Sequence, residues 1–171
     1  AARPRAAPLP GLKNRRGLDE LLEEEIHGAR RQETGFGVIW LDIDHFKSIN
    51  DNLGHQAGDQ ILCRVALWLK AGVRPYDHPG RWGGDEFVVL LSPCDPETLH
   101  RIALRIRESV EQESRKTGTQ VTVSVGGYFA LPGDSTDTIL RQADRALYQA
   151  KDEGRNRVCI TTSEDPEINP A

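Results

Sequence analysis

Two acidic clusters carry most of the chemistry available to this chain. One lies in the run LDIDHFKSIND from Leu41 to Asp51 and contains Asp42, Asp44 and Asp51; the other follows Gly83 and Gly84 and contains Asp85 and Glu86. Neighbouring strands of one sheet lie about 4.7 to 4.9 Å apart, so carboxylates at the ends of two adjacent strands can share one cation. Magnesium takes hard oxygen ligands and commonly uses one or two carboxylates, with phosphate oxygens completing its shell. Asp42 and Asp85 therefore suffice as the protein's anionic share of a magnesium site, with the remaining ligands coming from a nucleotide. For Asp44 and Asp51 two readings stay open, a part in this chemistry or the capping and turn-forming roles that aspartate often takes. His45 and His55 are catalytic by residue type, but turn and packing roles suit them better.

These groups need elements to hold them. Phe36 to Ile43 is a short apolar run bounded by Gly35 and by acidic residues, the pattern of a buried strand, and it delivers Asp42 to the strand's carboxyl end. Arg81 to Leu91 reads as strand, tight turn and strand, with the turn at the two glycines and Asp85 and Glu86 beside it. Leu18, Leu21, Leu22 and Ile26 predict an amphipathic helix from Leu18 to about Arg31. Ile61, Leu62, Val65, Ala66 and Leu69 predict another from Asp59 to Lys70, closed by Gly72 and Pro75. Pro96 to about Lys116 and Ser135 to Asp152 have helical spacing, Val121 to Tyr128 alternates like a strand, and Arg157 to Thr161 is a last strand. Strands and helices alternate except for one hairpin in the middle of the chain. The expected fold is an α/β (α+β) sandwich, a five-stranded mixed sheet with a central β-hairpin flanked by helices. The proline-rich residues 1–11 read as a linker or lead-in, 12–161 as the domain and 162–171 as a frayed tail.

Composition narrows the partners. At 171 residues, 37% hydrophobic and 28% charged, the chain has the make-up of one globular domain. A formal net charge of -4 gives no general attraction to nucleic acid or to an anionic membrane, so a phosphate-rich small ligand must be met by locally placed basic residues. Cys63, Cys94 and Cys159 are far apart, without metal-ligand spacing. No apolar run reaches the roughly 18 to 20 residues of a membrane span. The chain starts at Ala1 rather than methionine, so a longer protein is expected, with the domain in the cytoplasm and an upstream sensor or membrane anchor beyond the sequence given.

The Gly-Gly-Asp-Glu-Phe turn ends one of four ordered blocks. They are DIDHFKSINDNLGHQAGD from Asp42 to Asp59, RPYDHPGRWGGDEF from Arg74 to Phe87, SVGG from Ser124 to Gly127, and ADRALYQAKDEGRNRV from Ala143 to Val158. In this order and spacing the chain resembles the GGDEF family of diguanylate cyclases from about Leu12 to Val158. The resemblance implies a palm-like fold similar to nucleotidyl cyclases and polymerase palms, and the condensation of two GTP into cyclic di-GMP with loss of diphosphate. It implies two Mg2+ or Mn2+ ions per active site, held by Asp42, the backbone carbonyl of Ile43 and Asp85. It assigns guanine recognition to Asn50 and Asp59, whose amide can donate to O6 and whose carboxylate can accept from N1 and N2; for Asp59 a helix N-cap is the competing role. Phe46, Gly83 and Gly84 join the nucleotide-binding set, and Lys47, Lys151 and Arg155 match positions that meet the triphosphate. Glu86 is left between support of the metal and contact with the nucleotide.

The family logic requires a homodimer, since one domain holds one GTP. It also implies feedback by the product at Arg74 and Asp77, with Arg105 as a second basic contact; the alternative is a surface salt bridge worth little to stability. Neither nucleic acid nor direct membrane contact is expected of the domain. The chain departs from the family at APLPGLKNR, Ala7 to Arg15, which lacks the acidic residue and the threonine usual there. Two rival functions are a catalytically silent cyclic di-GMP receptor, against which the intact turn from Gly83 to Phe87 argues, and a cyclase of relaxed base choice, against which Asp59 argues.

Overall fold

The apolar run from Phe36 to Ile43 becomes β1, and all eight of its residues are buried. Its position explains the continuous rather than alternating pattern. In the computed structural model of the protein, which describes Leu9 and residues 11–162, β1 is the middle strand of a five-stranded sheet and is covered on both faces. It pairs antiparallel with β3 (Glu86–Leu91) on one side and with β4 (Val123–Ala130) on the other. β2 (His78–Gly83) extends the sheet beyond β3, and β5 (Val158–Thr161) lies parallel to β4, giving the order β2-β3-β1-β4-β5. The hairpin thus forms one margin of the sheet rather than its expected centre, which β1 occupies, and Pro79, which cannot donate to a ladder, sits on the edge strand.

Alternation along β1 divides the core. Ile39, Leu41 and Ile43 join a cluster with residues of α3 (His55–Gly72) and α4 (Pro96–Arg115). Phe36, Val38 and Trp40 join a second cluster with residues of α1 (Arg15–Gln32) and α5 (Thr136–Asp152). Asp42, two residues beyond Trp40, therefore emerges on the α1/α5 face. The helix starts follow from side chains. Asn14, Asp95 and Ser135 each accept a hydrogen bond from a first-turn backbone N–H of α1, α4 and α5, and Pro96 opens α4, where its missing N–H costs nothing.

The sequence reading did not foresee α2 (Phe46–Leu53), a two-turn helix with no fully buried residue. It places Asp51 inside a helix rather than at a cap or turn. Gly54, at φ 89° and ψ 164°, separates α2 from α3, which starts at His55, four residues before the expected Asp59. Asp59 is therefore an interior residue of α3 and not its N-cap. Leu9 is buried in the main core although residues 1–11 were read as lead-in. The rest of that lead-in up to residue 8, residue 10 and the tail from 163 lie outside the described residues.

Candidate active site

The strand register builds the acidic centre. Asp42 pairs with Glu86 across β1 and β3, and the Ile43 N–H donates to the carbonyl oxygen of Asp85 at 3.3 Å. Asp42 and Asp85 thus sit at the adjoining ends of neighbouring strands, as their places in the sequence led one to expect. The turn that carries Asp85 needs Gly84 at φ +53°, and Arg81 fastens it by donating from Nε and Nη2 to the Gly84 carbonyl at 3.0 and 2.7 Å.

Electrostatics at this centre favour a cation. Asp42 is only 6% exposed, and loss of hydration pushes its carboxyl up from 3.8 to about 6, with Asp85 and Asp44 adding repulsion and Lys151 pulling the other way. Burial likewise raises Asp85 and Glu86 above the ordinary carboxylate range, the latter with Asp85 as a further cause. Lys151, near the end of α5, places its ammonium on Asp42 Oδ2. Crowded, partly dehydrated carboxylates relieved by one ammonium form a donor set that suits a hard divalent ion. Among the described residues no group of three or more His, Cys, Asp or Glu side chains converges as a metal cage.

The groups expected to read the base lie on α2 and α3. Asn50 Oδ1, the acceptor end of the amide, is buried with no hydrogen-bond partner among the described residues. Gly58 permits this packing, because a Cβ there would stand 1.8 Å from Asn50 Oδ1. Asp59 follows directly and is exposed, while Phe46 is half-buried against the main core and its ring lies beneath Gly58. Lys47 is exposed on α2, and Arg155 is exposed in the segment between α5 and β5. Gly83 and Gly84 are exposed with open space where a side chain would be.

His45 sits in the turn before α2 at φ +57°, whereas His55 is the first residue of α3 rather than a turn residue; both are exposed. Asp44 is buried and accepts from Thr122 Oγ1, Ser124 Oγ and the Asn156 N–H, a structural tie that neither earlier reading anticipated.

Arg74 and Asp77 meet closely. The Asp77 side chain is fully buried and accepts from the Arg74 backbone N–H at 2.7 Å and from Arg74 Nε and Nη2 at 2.9 to 3.2 Å. Arg74 Nη2 also donates to the Pro93 carbonyl, and its guanidinium lies 4.7 Å over the Tyr76 ring. This pair is no loose surface bridge; an uncompensated buried carboxylate would result from losing the arginine. Arg105 donates to the Gly72 carbonyl at 2.8 Å, two residues before Arg74, so both arginines serve one corner of the domain.

Sequence reasoning missed three features. Lys151 was placed on phosphate, not on Asp42. The Trp40 and Trp82 rings pack 5.2 Å apart with the Arg15 guanidinium 4.3 Å over Trp82, and the buried Trp40 Nε1–H lies beside Glu86 without closing a hydrogen bond. The aromatic residue two before Asp42 and the one before Gly83 were the available signal. Asn156, tied to Asp44, Arg107 and Glu111, was the third.

A mixed sheet whose central strand and hairpin turn bring together strand-end carboxylates defines a palm-like α/β domain of the nucleotidyl cyclase type. The chain belongs to the family described as diguanylate cyclase, GGDEF domain, whose model matches residues 7–157. It is 34% identical over 94% of its length to diguanylate cyclase DgcZ of Escherichia coli, covering 54% of that protein. It is 38% identical over 91% of its length to the bifunctional diguanylate cyclase/cyclic di-GMP phosphodiesterase MucR of Pseudomonas aeruginosa, covering 23% of it. Among solved structures, the GGDEF domain of DgcB from Caulobacter crescentus in complex with c-di-GMP matches with a TM-score of 0.82 and 34% identity, over 94% of this chain and 98% of that one. The chain thus spans from about a quarter to about half of the curated relatives it matches.

Proposed function

We propose that this chain is the catalytic domain of a diguanylate cyclase, which condenses two GTP into cyclic di-GMP and two diphosphates. One observation carries the reading: Asp42 and Asp85 stand on adjoining strand ends with Lys151 seated on Asp42. The names of the relatives support it. Asp42, Asp85 and the carbonyl of Ile43 would hold magnesium or manganese, two ions per site. Such ions supply charge neutralisation and a more acidic attacking hydroxyl.

The protein's own groups do the rest. Asn50 and Asp59 orient the guanine, the open turn at Gly83 and Gly84 admits the nucleotide backbone, and Lys47, Lys151 and Arg155 offset charge on the triphosphate. In each displacement a ribose 3′-oxygen bonds to the α-phosphorus of the other GTP as the bond to the bridging oxygen breaks. The 3′-hydroxyl proton passes to solvent, the diphosphate takes the electron pair, and Lys151 would stabilise that departing charge. One domain presents one GTP, so two copies must face each other.

Product feedback belongs to the same reading. Arg74 and Arg105 form its basic corner, with Asp77 fixing the Arg74 fork; to accept from guanine N1 and N2, Asp77 must first release that fork. The test of the activity is incubation with GTP and Mg2+ followed by chromatography of the products. Wild type should form cyclic di-GMP and folded Asp85→Ala should form none. Equal product from the two would overturn the assignment.

A further inference from the structure

Arg155 and Asn156 both have positive φ, +63° and +47°, directly after Gly154 at +125°. Glycine pays nothing for this conformation, but consecutive side-chain-bearing residues in it are strained and persist only where the surroundings hold them there. Here the surroundings do. The Arg155 N–H donates to the Ala150 carbonyl at 3.0 Å, and the Asn156 N–H donates to Asp44 Oδ2 at 3.0 Å. The Asn156 side chain accepts from Arg107 Nη1 at 3.0 Å and donates to Glu111 Oε2, both on α4. Arg157 Nε donates to the Arg155 carbonyl at 3.1 Å. Asp44 is itself fixed by Thr122 Oγ1 and Ser124 Oγ, each at 2.6 Å.

All this fixation serves a short segment that presents Arg155, like Arg157 beside it, to solvent, and of the two only Arg155 carries the strained backbone. A glycine at 155 would make the same turn without strain, so the arginine's presence there calls for a use of its side chain. Asp44 lies two residues after Asp42, which means that one buried carboxylate joins the metal-bearing end of β1 to the arm carrying Arg155.

We propose that Asp44 and Asn156 are positioning residues that hold Arg155 on the substrate's β- and γ-phosphates. This rests on the reading of Arg155 as a triphosphate contact. Asp44 accepts three hydrogen bonds as an anion; an amide in its place offers one oxygen and a donor that opposes the incoming N–H and O–H groups. Asn156 supplies both the side-chain anchors to α4 and a residue type that tolerates the left-handed region.

The experiment is calorimetric titration of GTP, with Ca2+ in place of Mg2+ to prevent turnover, into wild type, Arg155→Ala, Asp44→Asn, Asn156→Ala and the pairwise combinations with Arg155→Ala. GMP, which lacks the β- and γ-phosphates, is the comparison ligand. Arg155→Ala should weaken GTP binding by about tenfold, Asp44→Asn and Asn156→Ala should reproduce most of that loss, and each double variant should bind no worse than Arg155→Ala alone. GMP should bind all variants alike. If the losses multiply, or if GMP weakens as much as GTP, Asp44 and Asn156 act only on the fold and the inference fails while the phosphate reading stands. If Arg155→Ala binds GTP as wild type does, the phosphate reading falls and this inference with it. Should Asp44→Asn unfold, the Asn156 and Arg155 cycle carries the same decision.

Discussion

Replacing Asp42 by asparagine should stabilise the metal-free protein while destroying its activity. Burial raises the Asp42 carboxyl from 3.8 to about 6, so above that range the fold carries an anion that its surroundings disfavour. At about 1.36 kcal/mol per pKa unit this displacement is worth about 3 kcal/mol. Relaxation of the surroundings around the charge reduces it, leaving about 1 to 2 kcal/mol. Asparagine keeps the shape and removes the charge. For a domain of this size that corresponds to a melting temperature higher by about 2 to 8 °C at pH 7.5 in EDTA.

The pH course identifies the cause. Between 3.8 and about 6 folded wild type holds a proton that the unfolded chain has released, so wild-type stability falls as pH rises through that window and is flat above it. Asp42→Asn lacks this loss. The gap between the two proteins should therefore be near zero at pH 4, grow to about pH 6 and stay constant beyond. Thermal melts by circular dichroism from pH 4 to 8 measure it. Saturating Mg2+ and GTP should reverse the order, since a ligand at about 100 times its Kd adds about 2.7 kcal/mol to the protein that can bind it. Equal melting temperatures at pH 7.5 in EDTA, or a gap that does not change with pH, would refute the reasoning.

Asp59→Ser should lower GTP use and narrow the preference over ATP by about tenfold, read from the ratio of kcat/KM values; an unchanged ratio would remove Asp59 from base recognition. Gly58→Ala must move Asn50, since the added Cβ falls 1.8 Å from its Oδ1, and should weaken guanine nucleotide binding in calorimetry more than it lowers the melting temperature. Arg74→Ala strands the Asp77 carboxylate, whose side chain has no exposure, and should cost about 2 to 3 kcal/mol in denaturant melts and abolish cyclic di-GMP binding under Ca2+. Product binding that survives in the folded variant would place the feedback site elsewhere.

The sequence revealed what depends on local pattern. β1 was legible to the residue because an eight-residue apolar run between a glycine and acidic residues admits few alternatives, and β3 because an apolar run follows two glycines; β2 starts at His78, three residues before the expected Arg81, because His78, Pro79 and Gly80 carry no strand pattern. α2 was not, because Phe46, Ile49 and Leu53 are only partly buried or exposed and give too short a periodic signal. The start of α3 was misplaced because Gly54 interrupts the chain by its backbone angles and leaves no capping side chain to read.

Within the site, Asp42 and Asp85 could be paired from strand adjacency alone. That Lys151 would meet Asp42 depends on α5 packing across the face where β1 presents its even-numbered residues, a tertiary fact without a local signature. The burial of Asp77 was hidden for the same reason: an arginine three residues earlier looks alike in sequence whether the pair faces water or the core.

The most direct measurement is the stoichiometry of the reaction. Purified protein, GTP and Mg2+ are incubated over a range of protein concentrations, and cyclic di-GMP and diphosphate are quantified together by ion-pair chromatography with mass spectrometry. The account predicts one cyclic di-GMP and two diphosphates for every two GTP consumed, with a rate that rises faster than linearly in protein as dimers form. GTP left intact at concentrations where sedimentation shows the dimer, or converted only to GDP and phosphate, would contradict it.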